Sequence, residues 1–126
     1  MKNLTNLPEE LSLAPTPEVL RQAQSRAGAA RYFALQELAQ RTARDANLLP
    51  LLERELLAAR NRELRWRGNT SLAQLVLLAL LHTGTLAATA TAGRVLAAWD
   101  GDERGHFRWL ATAEGLAWPE TERIAA

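Results

Sequence analysis

The ten-residue run LAQLVLLALL, residues 72–81, constrains this chain more than any other stretch. Leu72, Leu75, Val76, Leu77, Leu78, Leu80 and Leu81 cover nearly the whole circumference of a helix, with Gln74 as the one polar interruption. A helix that is apolar all round must be covered on several sides, so this one is expected to be the central buried element. It is too short for a bilayer, which takes about 20 residues. Asn69, Thr70 or Ser71 stands where an N-terminal cap belongs, and Gly84 where a left-handed C-terminal cap falls.

The rest of the chain supplies that cover. Its 126 residues, 48% of them hydrophobic, suit one domain with a real core. The absence of cysteine removes disulfides, thiolate nucleophiles and cysteine-ligated metals together, and fits an intracellular, reducing compartment. MKNLTNLPEELSLAP has one Lys and no long apolar run, so it does not read as a secretory signal, and the cytoplasm is the expected location. Net charge is +1, too small to name a partner, but 14 of the 15 basic residues are Arg, a side chain suited to phosphate and carboxylate. Between Arg21 and Arg67 there are 10 basic and 5 acidic residues.

Residues 1–15 read as a Pro-bounded N-terminal arm, and residues 16–126 as a single all-helical domain. Thr16-Pro17-Glu18 is a helix start, with Thr16 as the cap, and Gly28 is a break. Tyr32, Leu35, Leu38 and Ala39 form the next apolar stripe, with Arg31, Gln36, Glu37, Gln40, Arg41 and Arg44 on other faces. A helix over 48–63 follows the turn at Asp45 to Asn47. Its core stripe is Leu49, Leu52, Leu56 and Ala59. Beyond the central run, Thr85 caps a helix whose apolar positions are Leu86, Ala90, Val95, Leu96 and Trp99. The last helix carries Phe107, Leu110, Ala113 and Leu116, and is expected to end at Trp118-Pro119. Trp99 and Trp109 suit the core, whereas Trp66 and Trp118 fall near helix ends. No stretch alternates with period two or shows hairpin chemistry, so the fold class is all-α, with about five or six helices.

Three helices open on Arg and then turn apolar, at Arg31, Arg65 and Arg108, with an outer, more amphipathic helix between each pair. The motif Arg31, Ala34, Leu38, with Arg108, Ala111 and Leu116 as a second copy, resembles the VRxxAxxAL pattern in the second helix of HEAT-type repeats. The resemblance spans residues 17–118 in two and a half to three repeats. It implies a short right-handed stack of antiparallel helix pairs, and a compact helical bundle of other topology is the alternative. Three repeats are a minimum for such a stack, so its ends need polar caps or a partner, and a second copy forming a homodimer would serve.

Catalytic chemistry finds little footing. Asp100, Asp102, Glu103 and His106 could serve a divalent ion, Asp102 and His106 sharing a helix face, but Asp102 and Glu103 sit where a helix start needs a cap and acidic residues, with Asp102 as the expected cap. His82 lies at the C-terminus of the central helix, where a cation is favourable. No serine–histidine triad or phosphate-binding loop is present, so the chain is expected to be non-enzymatic and to carry no cofactor. The strongest functional signal is Arg60, Arg62, Arg65, Trp66 and Arg67, four arginines and a tryptophan within eight residues. Arg and Trp anchor protein interfaces more often than other residues, so the leading expectation is a helical-repeat module that binds a protein partner or itself. The alternative is a nucleic-acid-binding domain with the same arginines on phosphates and Trp66 on an exposed base. The chain loosely resembles the helical-repeat DNA glycosylases, whose basic concave face holds duplex, but their catalytic residues have no counterpart here.

Overall fold

The computed structural model of the chain describes residues 7–116. The class is all-α, with more helices than the periodicity predicts. The elements are α1 (Leu7–Leu13), α2 (Thr16–Gln22), α3 (Gly28–Arg41), a 3-10 turn (Ala46–Leu48), α4 (Leu49–Leu57), α5 (Ala59–Glu63), α6 (Leu72–His82), α7 (Leu86–Ala98) and α8 (Gly101–Ala113), with a two-stranded ribbon of β1 (Arg65–Arg67) and β2 (Thr70–Ser71) ahead of α6. Among the described residues no helix is long and apolar enough to cross a membrane.

The apolar run is the centre. Helix α6 touches α3, α4, α5, α7 and α8, and Leu72, Leu77 and Leu80 are completely buried. Its polar interruption has a structural use. Ser71 Oγ accepts the Gln74 backbone N–H at 3.1 Å, and Gln74 Oε1 accepts the Ser71 N–H at 2.9 Å. This reciprocal cap satisfies two donors that a helix start leaves open. The Gln74 amide also donates to the Glu103 carbonyl at 3.1 Å, so the buried side chain is satisfied and ties α6 to α8. Gly84, at φ +71°, follows the helix where expected.

Helices lie around α6 in two layers. One layer is α3, α6 and α8 side by side, and the other is α4 and α7. Within each layer the helices run the same way. The start of α3 meets the ribbon just ahead of α6: a Cβ on Gly28 would stand only 3.1 Å from Leu64 Cδ2, so glycine permits the approach. Gln74 meets Glu103, and His82 meets Glu114, which aligns α6 with α8. Arg94 pairs with Glu53 at 3.0 Å, and Trp99 Nε1 donates to the Leu56 carbonyl at 3.2 Å, which aligns α7 with α4. Helices α1 and α2 cover the outer side of α3, with Leu7, Leu11 and Val19 buried. Leu4 of the N-terminal arm lies outside the described residues.

The structure corrects several sequence expectations. The helix expected over 48–63 breaks at Ala58, whose ψ of 132° is extended. Asn61, fully buried, donates from Nδ2 to the Glu55 carbonyl at 2.7 Å, taking the acceptor that the Ala59 N–H would use in a continuous helix. Its Oδ1 accepts from Arg31 Nε at 2.8 Å, while Arg31 Nη1 donates to the Ser25 carbonyl at 3.0 Å. Arg31 is therefore buried, not on a wet face. Burial, with the nearby charge of Arg60, holds its pKa below the usual value, against the pull of Glu55.

Thr16 does not cap α2: its hydroxyl accepts from Arg41, whose guanidinium also gathers the Leu11 and Ala14 carbonyls at the end of α1. In α7 the buried stripe is Ala88, Ala92, Val95 and Leu96, whereas Leu86 is 90% exposed and Ala90 is exposed. Both stand two residues from Ala88, about 200° around the helix. Trp99 is buried, as expected, but Trp109 is 65% exposed, because Phe107 and Ala111 set the inward face of α8 and Trp109 points away from it. Helix α8 ends at Ala113, with Gly115 at φ +72°, ahead of Trp118-Pro119, which lie outside the described residues.

Candidate interaction surface

The arginine run is divided by a change of backbone. Residues up to Glu63 are helical, Leu64 turns extended at ψ 113°, and Arg65–Arg67 form β1. The ribbon was not legible because three residues are too few for alternation. The turn is Gly68-Asn69, with Gly68 at φ +54°, and the register shifts between Arg65 and Arg67.

The helical half of the run is consumed internally. Arg60 donates to Glu55 Oε1 at 2.6 Å and to Gln24 at 3.2 Å. Burial pushes the Glu55 carboxyl up, but hydrogen bonds from Arg60, Asn61 and Gln24 outweigh it and hold the group below the ordinary carboxylate value. Arg62 grips Glu103 with two parallel hydrogen bonds, the Nε one at 3.0 Å, and the pairing raises the Arg62 pKa. The link is short in space and long in sequence, joining α5 to the start of α8.

The strand half is displayed. Arg65 and Arg67 are exposed, and their side chains make no hydrogen bond or ion pair to any described residue. Between them Trp66 turns inward, half-buried, and stacks on Tyr32 with ring centroids 4.9 Å apart and planes at 29°. Tyr32 also meets Phe33 at 5.2 Å. Offset aromatic pairs of this kind fix ring positions, so the ribbon is anchored to α3 by its middle residue.

On the Arg67 side of the ribbon, a groove of about 520 Å³ runs along α3 and α6. Leu75, Leu78 and Ala79 of α6 face it, as do Gln36 and Gln40 of α3. Arg67 and Tyr32 stand at the end where both helices begin. His82 and Glu114, hydrogen-bonded at 2.8 Å and each about half exposed, stand where the helices finish. Burial raises the Tyr32 pKa, against the opposing charge of Arg67.

On the other side Arg65 shares a recess of about 330 Å³ with Asn69, Asp100, Asp102, Glu103 and His106. The acidic residues here serve the start of α8. Asp100, not Asp102, is the cap, accepting the Glu103 N–H at 2.9 Å, and that bond holds its carboxyl below the usual value. Glu103 in turn accepts the Asp100 N–H at 3.3 Å and is held by Arg62. His106 Nε2 lies 2.8 Å from Thr70 Oγ1 and its ring stacks on Trp109 at 5.8 Å. Among the described residues no group of three or more His, Cys, Asp or Glu is placed to hold a metal ion.

The groove residues Tyr32, Gln36, Gln40, Leu75 and His82 are absent from the sequence-based candidates. Tyr32 reads as core and the glutamines as ordinary wet surface, and only the packing of α3 on α6 puts them together. The signal available beforehand was the polar pair at four-residue spacing, which is weak. Comparison of the chain with protein-family models, with curated proteins and with solved structures finds no match.

Proposed function

We propose that this protein is a non-enzymatic interaction module, a short HEAT-like helical stack that binds a protein partner through the ribbon edge and the adjoining groove. The observation carrying this reading is the displayed half of the arginine run: two exposed arginines whose side chains have no partner among the described residues, on either side of a tryptophan locked against Tyr32. Arg is enriched at protein interfaces, and a rigid mount lowers the entropy lost when it is ordered on binding. The reducing environment suggested by the lack of cysteine makes the cytoplasm the location that goes with this proposal.

Nucleic acid is the second reading, favoured by two exposed guanidinium groups beside an aromatic ring. The surroundings weigh against it. Asp100, Asp102 and Glu103 border Arg65, and Glu114 closes the far end of the groove, so the surface alternates in sign where a phosphate backbone asks for a run of cations.

Two measurements separate these readings. A photocrosslinking residue placed at Asn69, the exposed tip of the ribbon, is expected to trap a discrete protein in cells, and Arg65→Ala/Arg67→Ala is expected to abolish the adduct. Anisotropy titrations with labelled duplex and single-stranded DNA and RNA, at two salt concentrations, are expected to show no binding. Micromolar binding that weakens steeply with salt would instead favour the phosphate reading. Sedimentation of the free chain tests self-association, for which the exposed Trp109 offers a contact.

A further inference from the structure

We propose that the groove along α3 and α6 holds an extended segment of the partner protein, with an Asp or Glu carboxylate of that segment bound jointly by the Tyr32 hydroxyl and the Arg67 guanidinium. The inference rests on the interaction-module reading and gives that surface a ligand chemistry.

Tyr32 supplies the first argument. It is only 5% exposed, yet its hydroxyl makes no hydrogen bond to any described residue, while the residue lines the groove. Buried polar groups in folded proteins are nearly always paired, so a lone buried phenol facing a groove marks a place for a ligand acceptor. Arg67 lines the same end and is likewise without an ion-pair partner. A phenol hydroxyl and a guanidinium both donate, and a carboxylate, with two acceptor oxygens, satisfies both at once.

The glutamines supply the second. Gln36 and Gln40 both line the groove, and neither side-chain amide bonds to a described residue. Four residues of helix rise about 6 Å. Along an extended chain, backbone groups facing the same side recur every two residues, about 6.7 Å apart. Each amide offers a donor and an acceptor, so the pair matches two successive backbone stations of a bound strand. From Tyr32 to Ala43 the groove is about 16 Å long, from the helical rise. That accommodates about five extended residues. Leu75, Leu78 and Ala79 then take an aliphatic side chain of the segment, and the carboxylate sits at the Arg67 end.

The charge pattern favours a peptide carboxylate. The groove offers one arginine, Arg67, unpaired among the described residues, and carries a carboxylate, Glu114, at its opposite end. A polyphosphate strand would meet one cation and one repulsive group; a peptide with a single acid and an aliphatic neighbour meets a complement for each.

The test is to pan a phage-displayed random heptapeptide library on the immobilised full chain, then measure enriched peptides by fluorescence anisotropy. The expected peptides share Asp or Glu at one position, with an aliphatic residue two to four positions away. Changing that Glu to Gln in the peptide, or Arg67→Ala in the protein, is expected to weaken binding about tenfold. Tyr32→Phe keeps the stack on Trp66 and removes only the hydroxyl, with an expected loss of about three- to tenfold. The peptide change and Arg67→Ala are expected to be non-additive, because they remove the same contact. The assignment is overturned by no enrichment, by peptides without a fixed acid, by phosphopeptide preference, or by affinities indifferent to Arg67→Ala and Tyr32→Phe. A dimer of the free chain that Arg67→Ala dissolves also overturns it, since the occupant would then be a second copy. If the groove assignment fails while the Asn69 crosslink persists, the interaction module stands and only its ligand is wrong; loss of both removes both.

Discussion

The two halves of the run Arg60–Arg67 carry two arginines each and meet opposite fates. On α5, Arg60 and Arg62 are spent on Glu55 and Glu103, closing the fold across the break at Ala58 and across to α8. On β1, the Arg65 and Arg67 side chains have no such partners among the described residues, and the extended backbone turns Trp66 inward between them. The register shift between them sends Arg65 toward Asp100 and Asp102, and Arg67 toward the groove. A cluster in sequence is thus two sites in space, one structural and one available. Density of charge along a chain does not indicate function until the backbone says which charges are already neutralised.

The division can be broken by mutation, and the largest effect is expected at the residue that organises the structural half. Asn61→Ala strips the buried Arg31 Nε of its acceptor and takes one of two donors from the part-buried Glu55 carbonyl, which keeps the Ala58 N–H. The expected loss is about 2–4 kcal/mol in urea denaturation. A loss below half a kilocalorie would mean that the break at Ala58 has another cause. Next comes Arg62→Ala, which removes a two-bonded pair with Glu103 in partly buried surroundings. About 1 kcal/mol is expected, with the cost read at the α8 amides by hydrogen exchange.

The acid limb of the stability profile offers a third handle. The folded pKa of Glu55 lies below its ordinary value of 4.5. Its contribution is therefore fully present above that value and is lost as pH falls through the depressed folded value. Thermal melts between about pH 5 and pH 3 should fall less steeply in Glu55→Gln than in the wild type. An unchanged slope would show that the Arg60 contact does not hold in solution.

The smallest stability effect is expected on the displayed half. Arg65→Ala and Arg67→Ala should each leave stability within about 0.5 kcal/mol, while partner binding weakens. If Arg65→Ala destabilises as much as Arg62→Ala, the contrast between the halves is wrong.

Trp99 and Trp109 show where legibility stopped. Both read as core residues; Trp99 closes α7, which starts at the expected cap Thr85, and Trp109 lies in α8, which is capped by Asp100 rather than the expected Asp102. Trp99 is buried with its indole N–H on a carbonyl that the early end of α4 leaves open. Trp109 is outside, because it stands two residues, about 200° of helix, from each of Phe107 and Ala111, which define the buried face, and the expected three-residue stripe itself drifts to an exposed Ala113. Helix existence and most starts were readable, since caps and apolar spacing act within one turn. Helix phase was less readable in Ala-rich α7, where small side chains mark a face weakly.

By itself the sequence determined the all-α class, the central place of residues 72–81, a cap for that helix within Asn69 to Ser71, the cap at Thr85 and the stop at Gly84. Each depends on propensity, side-chain hydrogen bonds or hydrophobic burial acting over a few residues. Tertiary structure alone decided that Arg31 is buried, that Asn61 splits a helix, that Arg62 meets Glu103 and that Tyr32, Gln36, Gln40 and Arg67 share one groove. Those outcomes join residues up to 41 positions apart. They follow from which polar groups each interface leaves in need of a partner, and that need does not exist until the helices have packed.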